Sequence, residues 1–317
     1  MRKFAAIIFI LLVMAPLCLR AAEQAEQAPG NAPEAVGLAH GGEEHGLPAA
    51  ATKLPGAEFI SSSMVVTWVV AAFLILFARF ATRNIQAVPE GAQNFWEWLV
   101  ESLHDFLDGI IGPDLVKKTF WFFATIFIFI LAANWLSLLP GVGTIGWGAK
   151  TAHGFHVSQP LLRGANADLN MTLAMSMVFF ACWIVWALQF NGVGGFVKHL
   201  FGAKGDTTGV LKVLMFFVFM VVGVLEVVSI LFRPVSLSFR LYGNIFAGEN
   251  MLEAMSSLIK EPAWLSAVAS VVIPIPFYFL EVLVGLVQAL VFMLLTAVFT
   301  LLICSHDEEE HAKEQHH

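Results

Sequence analysis

Residues 265–304 form an apolar run interrupted by one charged side chain, Glu281. As a helix rising 1.5 Å per residue it would measure about 60 Å, twice the hydrocarbon thickness of about 30 Å that a bilayer offers. The run must therefore tilt strongly, kink near Pro274 and Pro276, or project from the membrane. Four more blocks, residues 60–81, 119–139, 169–190 and one opening with residues 213–232, are also long and apolar enough to span or enter a bilayer. A soluble core cannot hide this much apolar surface. Of the 317 residues 58% are hydrophobic and 13% charged, where a soluble chain carries about 25% charged residues. The mean hydropathy of +0.77 agrees. The expectation is an all-α, polytopic membrane protein of about five membrane-embedded helices, the last two long and tilted as a hairpin.

The formal net charge of −7 says little about partners, because much of the acid lies in two terminal tails. No basic patch points to nucleic acid. Cys18, Cys182 and Cys304 lie far apart in apolar or end positions, which suits neither a disulfide framework nor a metal-ligand spacing.

The N-terminus has a basic start at Arg2 and Lys3, an apolar stretch from Phe4 to Leu19, and small residues at Ala21 and Ala22. That layout reads as a secretory signal over residues 1–22, with an uncleaved anchor as the alternative. Residues 23–58 run polar and read as a flexible exported tail, in which His40, Glu43, Glu44 and His45 are better explained as solvated groups than as a metal site. The membrane domain is expected over residues 59–305, followed by an acidic, His-rich cytoplasmic tail over residues 306–317. Between Ala87 and Pro113, Phe95, Trp98, Leu99, Leu103, Phe106, Leu107 and Ile110 recur at helical spacing, with acids at Glu97, Glu101, Asp105 and Asp108 between them. This predicts an amphipathic helix at the interface or against a neighbour. With the first tail exported, Arg79, Arg83, Lys117, Lys118, Lys198, Lys204, Lys212 and Lys313 fall on the cytoplasmic side, and only Lys53, Lys150, Arg163 and Lys260 outside. That asymmetry supports an exported N-terminus and a cytoplasmic C-terminus.

Ionisable groups inside apolar helices carry the functional signal. A charge at the bilayer centre costs about 2.5 to 3.5 kcal/mol on insertion scales, so each asks for a partner or a job. Glu226, Ser229, Arg233, Ser236, Arg240 and Asn244 advance by three or four residues and form one polar stripe on a helix. Glu249 follows, and Glu281 and Gln288, seven apart, share a face of the last helix. Polar stripes on two long membrane helices face each other, a partner or water, not lipid. Internal ion pairing, such as Arg233 with Glu226, is the alternative. It leaves a second cation, two further acids and two amides unexplained, and a polar track along the membrane suggests an ion route.

The segment Pro234-Val-Ser-Leu-Ser-Phe-Arg240-Leu-Tyr-Gly-Asn244-Ile-Phe-Ala-Gly-Glu249 resembles the signature of subunit a of the F-type ATP synthase, bacterial type. Leu286-Val-Gln288-Ala-Leu-Val-Phe-Met293 resembles that family's last helix. Asn134-Trp-Leu-Ser-Leu-Leu-Pro140-Gly141 and Ala167-Asp168-Leu-Asn170-Met-Thr172-Leu resemble its two other recurring segments, so Asn134, Asp168 and Asn170 join the candidate polar residues. The likeness covers roughly residues 60–305. It implies a non-catalytic stator in the bacterial inner membrane, without a cofactor, holding two offset half-channels against a rotating ring of subunit c and working beside the peripheral-stalk subunit b. By motif position, Arg240 matches the family's essential arginine, Asn244 and Gln288 its polar neighbours, and Glu226 the acid on the cytoplasmic side. Glu249 and Glu281 match the pair lining the outer half-channel. Many bacterial relatives place a histidine where Glu281 stands, so this chain departs by having two acids. The choice between proton and sodium belongs largely to the ring carboxylate's surroundings on another chain.

Elementary chemistry is consistent with these roles. Arginine, with a pKa above 12, stays charged where a desolvated lysine sheds its proton, and its fixed charge repels a proton hopping between half-channels. The rivals fit less well. A secondary transporter or channel predicts a repeat between halves, and the charged stripe has no counterpart before residue 200. A membrane enzyme needs a nucleophile, base or metal motif at depth, yet none of the ten histidines lies in an expected span. A purely structural assembly subunit leaves the stripe unexplained.

Overall fold

The computed structural model describes residues 53–54, 57–139, 146–151, 154–160, 163–201, 210–256, 258–259 and 263–304. The signal-like segment, the His40 and Glu43 group, Cys18, Pro140 and Gly141 of the third motif, and the acidic C-terminal tail lie outside the described residues.

Seven helices account for most of the described chain: α1 (Ser62–Ala81), α2 (Ala92–Ile111), α3 (Pro113–Ser137), α4 (Leu169–Phe201), α5 (Val210–Ser256), α6 (Ala263–Val272) and α7 (Ile275–Cys304). A 3-10 turn at Ala165–Ala167 precedes α4. Two antiparallel strand pairs, which the hydrophobic pattern did not announce, accompany them: β1 (Lys53–Leu54) with β2 (Ala57–Ser61), and β3 (Gly146–Thr151) with β4 (Gly154–Pro160). Five stretches are long and apolar enough to cross a membrane: Ser62–Ala81, Pro113–Ser137, Leu169–Gly192, Phe217–Ser256 and Trp264–Cys304. The expected polytopic helical architecture is therefore present.

Local chemistry sets the helix boundaries. Thr82 closes α1 by giving both its backbone N–H, at 3.0 Å, and its hydroxyl, at 2.7 Å, to the Ala78 carbonyl. Gly112, at φ 79°, ends α2 with its N–H on the Asp108 carbonyl, and Pro113 then opens α3. Glycine tolerates that left-handed φ, and proline is suited to a first helical turn that has no use for its missing N–H. Asp168 caps α4, its Oδ1 accepting the Asn170 N–H at 2.9 Å. Gly192, at φ 66° and ψ 170°, breaks α4 at the end of its membrane-crossing part. The long run at 265–304 is resolved at Pro274, where the chain turns between α6 and α7. No such break shortens α5. Its 47 residues include Pro234 and would extend about 70 Å, so α5 cannot stand upright in a core of about 30 Å.

The core lies where α3 meets α7 and α4 meets α5. Phe122 packs edge-on against Trp186 at 5.6 Å and lies tilted on Phe179 at 6.3 Å, joining α3 to α4. Two side-chain donors on α4 reach carbonyls of α7: Trp183 Nε1 to Phe299 at 3.1 Å and Asn191 Nδ2 to Ile303 at 2.8 Å. Buried hydroxyls are satisfied within their own helices, as with Thr119 on Leu115, Ser176 on Thr172 and Thr300 on Thr296. Such residues need no functional reading.

Helix α2 is amphipathic as expected, but its apolar side divides. Leu103, Leu107 and Ile111 are buried beside Gln93, which bonds Gln86 and Glu97, whereas Phe95, Trp98 and Phe106 point outward, Trp98 at 61% exposure. The apolar stripe is wider than the strip that α1, α3 and α7 can cover, so its aromatic edge is left for an interface.

Candidate functional site

Helices α5 and α7 run antiparallel, because their contacts descend α7 as they climb α5. Arg233 lies against Phe299, Asn244 against Gln288, and Gly248 against Glu281. This hairpin carries both polar stripes that the sequence singled out, while Asn134, Asp168 and Asn170 lie on the elements beside it.

The stripe on α5 follows the boundary between a covered and an open face. Arg233 is half-buried, its guanidinium 4.5 Å from the Phe299 ring and 5.7 Å from the Trp183 ring. The Arg233–Glu226 alternative is met only in part: among the described residues the two do not close to ion-pair distance, but the Glu226 charge still acts on Arg233, whose guanidinium lies against two aromatic faces. Glu226 is half-buried, and Ser229 and Ser236 are exposed. Arg240 is exposed as well, with no hydrogen-bond or ion-pair partner among the described residues. The side chains around it are small, namely Ser236, Gly243 and Ala247, and a Cβ built on Gly243 would meet no atom within 4 Å. Large apolar side chains are exposed elsewhere on the two helices, among them Phe232 and Phe239 of α5 and Leu283 and Val287 of α7. An exposed guanidinium thus stands, without a partner among the described residues, on a helix whose other exposed side chains are largely apolar.

One turn beyond Arg240, Asn244 Nδ2 donates to Gln288 Oε1 at 2.6 Å. Gln288 is buried, and its Nε2 has no partner among the described residues. Further along, Glu281 is 6% exposed and its Oε1 has no hydrogen-bond partner among the described residues. Its carboxyl group rests directly on Gly248, where any Cβ would overlap it, so the acid fits only because that position is glycine. Glu249, half-buried, turns toward the segment before α4: a Cβ on Gly164 would lie 3.1 Å from Glu249 Oε1 and 2.9 Å from Ser137 Cβ. The two acids expected to act together are therefore set in one junction of α3, α5, α7 and the turn before α4.

The other family-motif residues support that junction. Asn134 Nδ2 donates to the Gly285 carbonyl at 3.0 Å, and Asn166 Nδ2 donates to Asn134 Oδ1 at 2.7 Å. Trp135 Nε1 adds a bond to the Val282 carbonyl at 3.2 Å. Asp168 is a cap and a tie, accepting the Ser63 hydroxyl at 2.5 Å on Oδ2 while Oδ1 holds the Asn170 N–H. Asn170 enters through that backbone bond. Sequence reading missed Gly164, Gly248, Asn166, Ser63 and the Trp183–Phe299 seat of Arg233. Gly248 stands beside Glu249 in the quoted motif and was visible there, whereas Asn166 sits in a short turn with no periodicity to flag it.

The arrangement offers a cation that is exposed and without a partner among the described residues, an amide donor one turn away, and two acids further along the hairpin. A family model described as ATP synthase A chain matches residues 64–300. The chain is 32% identical over 237 residues to an ATP synthase subunit a of Gloeobacter violaceus, covering 75% of this chain and 81% of that one. It is 33% identical over 236 residues to an ATP synthase subunit a of Desulfotalea psychrophila, covering 74% and 81%. A third relative, from Propionigenium modestum, is named as a sodium ion specific subunit a and is 30% identical over 244 residues, covering 76% of this chain and 73% of its own.

Proposed function

The chain belongs to the ATP synthase A chain family, a membrane-sector subunit whose partners carry the ATP chemistry, and from that premise we propose that it is the ion-conducting stator of a bacterial inner-membrane ATP synthase. The observation that carries the proposal is Arg240, exposed at membrane depth and without a partner among the described residues. A guanidinium left in hydrocarbon is unfavourable by about 2.5 to 3.5 kcal/mol, so an anion from another chain must meet it. A carboxylate on each subunit of a rotating c-ring supplies that anion, and a fork of N–H donors holds it bidentately while it is ionised.

The ion route follows from the hairpin. Ions, protons or sodium, enter from the exported side past Glu249 and Glu281 and neutralise a ring carboxylate near Asn244 and Gln288. The carboxylate then travels through lipid and releases its ion on the cytoplasmic side near Glu226. Arg240 stands between the two half-channels and forbids direct passage. Each charge crossing 100 mV releases about 2.3 kcal/mol, which a leak would dissipate as heat. Ser229, Ser236 and Arg233 line and brace the same face, and Asn134, Asp168 and Asn170 hold the junction behind it. The N-terminus is exported and the C-terminus cytoplasmic, with peripheral-stalk subunit b as the second fixed partner. A secondary transporter is the rival reading. Copurification decides between them: this chain should come out of membranes with a ring of small hydrophobic subunits, each bearing a buried carboxylate. Purification alone as a functional carrier in vesicles would overturn the proposal.

A further inference from the structure

We infer that Trp183 and Phe299 are positioning residues for ion exit, holding the Arg233 guanidinium against the body of the protein and so clearing its charge from the path between Arg240 and Glu226. The assignment rests on the ion-conducting role proposed above. Glu226, Arg233 and Arg240 are spaced seven residues apart, so they form a row along α5 with about 10 Å between neighbours. Arg233 stands in the middle, one turn from exposed Ser229 and one turn from exposed Ser236. Its side chain is long enough to lie outward with them, yet it turns inward: the guanidinium carbon is 4.5 Å from the centre of the Phe299 ring and 5.7 Å from that of Trp183. Both rings are within the distance of about 6 Å at which an aromatic face attracts a cation. Other contacts hold the two rings in place. Trp183, 2% exposed, donates its Nε1–H to the Phe299 carbonyl at 3.1 Å, which ties α4 to α7 at this point. Phe180 stacks on the same indole at 6.1 Å, and Phe196 meets it edge-on at 6.3 Å. With its only N–H committed, the indole meets Arg233 through its ring alone.

This seat answers a problem that the row itself creates. On the proposed route a cation leaves the ring carboxylate beyond Arg240 and reaches the cytoplasmic side near Glu226, so it passes the level of residue 233. A second outward guanidinium there would oppose it: at an effective dielectric of about 20, two positive charges about 10 Å apart slow a passage by roughly tenfold. Aromatic faces hold a cation without a compensating acid. The seat therefore withdraws the charge from the path without spending Glu226, the exit acid, on an ion pair. A carboxylate partner would hold Arg233 equally well, but it would place a second ion-binding group beside the route. The two arginines of the stripe divide accordingly: the one proposed to meet the ring is exposed, and the one beside the exit is seated.

The test is gradient-driven ATP synthesis per assembled complex, in membranes carrying each ring variant with Arg233 and again with Arg233→Gln. Trp183→Leu and Phe299→Leu each remove one face and should lower synthesis by about fivefold to tenfold where Arg233 is present. Phe299→Tyr keeps a face and should stay within about twofold of the parent. In the Arg233→Gln background the same two ring losses should lower synthesis by less than about twofold, because no charge is left to stray into the path. Rings that serve packing alone would be missed equally in both backgrounds, and that result overturns the inference. So does undiminished synthesis in both leucine variants, failure of both to assemble, or loss of synthesis in Arg233→Gln alone, which would give the cation a task of its own. Parent membranes that make no ATP from a gradient would instead sink the ion-conducting reading itself.

Discussion

Arg233 and Arg240 lie two helical turns apart on one stripe, yet their surroundings ask different things of a positive charge. Arg233 lies over Phe299 and Trp183, an attraction that any cation satisfies and that contributes about 0.5 to 2 kcal/mol. Arg240 faces open space, where the proposed role needs a charge that cannot be shed and a fork that grips a carboxylate with two donors. Lysine keeps the first function and loses the second. Arg233→Lys should therefore sustain gradient-driven ATP synthesis within about twofold of the parent, while Arg240→Lys should assemble but lower it by more than about tenfold, equivalent to about 1.4 kcal/mol at the barrier. Arg240→Ala should fail as well and leak protons, since nothing then separates the half-channels. Synthesis by Arg240→Lys at the parental rate would return Arg240 to a packing role. Helical spacing placed both arginines on one stripe. It did not separate them, because the aromatic seat that covers Arg233 comes from α4 and α7, more than 40 residues away on either side.

The elements divide along the same line between local and distant causes. The spans and the break at Pro274 were legible because each depends on a run of apolar residues or on one residue's backbone chemistry, whereas Asp168 was singled out only by its motif and its work as a helix cap was not foreseen. The covered strip of α2 was not, since Phe95 and Leu103 look alike in sequence and only the placement of α1, α3 and α7 decides which is buried. Nor was the closeness of α3 to α7, where Gly285 lets the helices approach until a Cβ at that position would stand 3.1 Å from Asn134 Cβ. Disulfides need Cβ atoms about 3.5 to 4.5 Å apart. In a background lacking Cys18, Cys182 and Cys304, a shift of a few tenths of an ångström between the helices brings Asn134→Cys and Gly285→Cys into that range, so the pair should oxidise to an internal bridge, while Asn134→Cys with Val287→Cys, whose second position points outward, should not. Mass spectrometry of the bridged peptide reads the result. Equal bridging in both pairs would mean that α7 is rotated relative to α3 from the arrangement described.

At the scale of the whole molecule the question is which way the hairpin points. The acids Glu249 and Glu281 gather at one end of the α5–α7 pair and Glu226 lies toward the other, with Arg240 between, so the direction of the chain through the membrane decides which acid meets the incoming ion. The helices themselves are silent on this, because an apolar span is equally stable in either sense, and the asymmetry must come from charges at the ends. Lys and Arg near the spans favour a cytoplasmic location for the loops that hold Arg79, Arg83, Lys117 and Lys118, and this places the chain before α1 outside. On the proposed orientation the junction of Glu249, Gly164 and Ser137 then lies toward the exported side, where the proposed intake belongs. A cysteine introduced near residue 45 should react with a membrane-impermeant thiol reagent added to intact cells, and one near residue 312 should react only after the membrane is opened. The reverse pattern would exchange the two half-channels, making Glu226 the intake acid and Glu249 with Glu281 the exit, while leaving Arg240 between them.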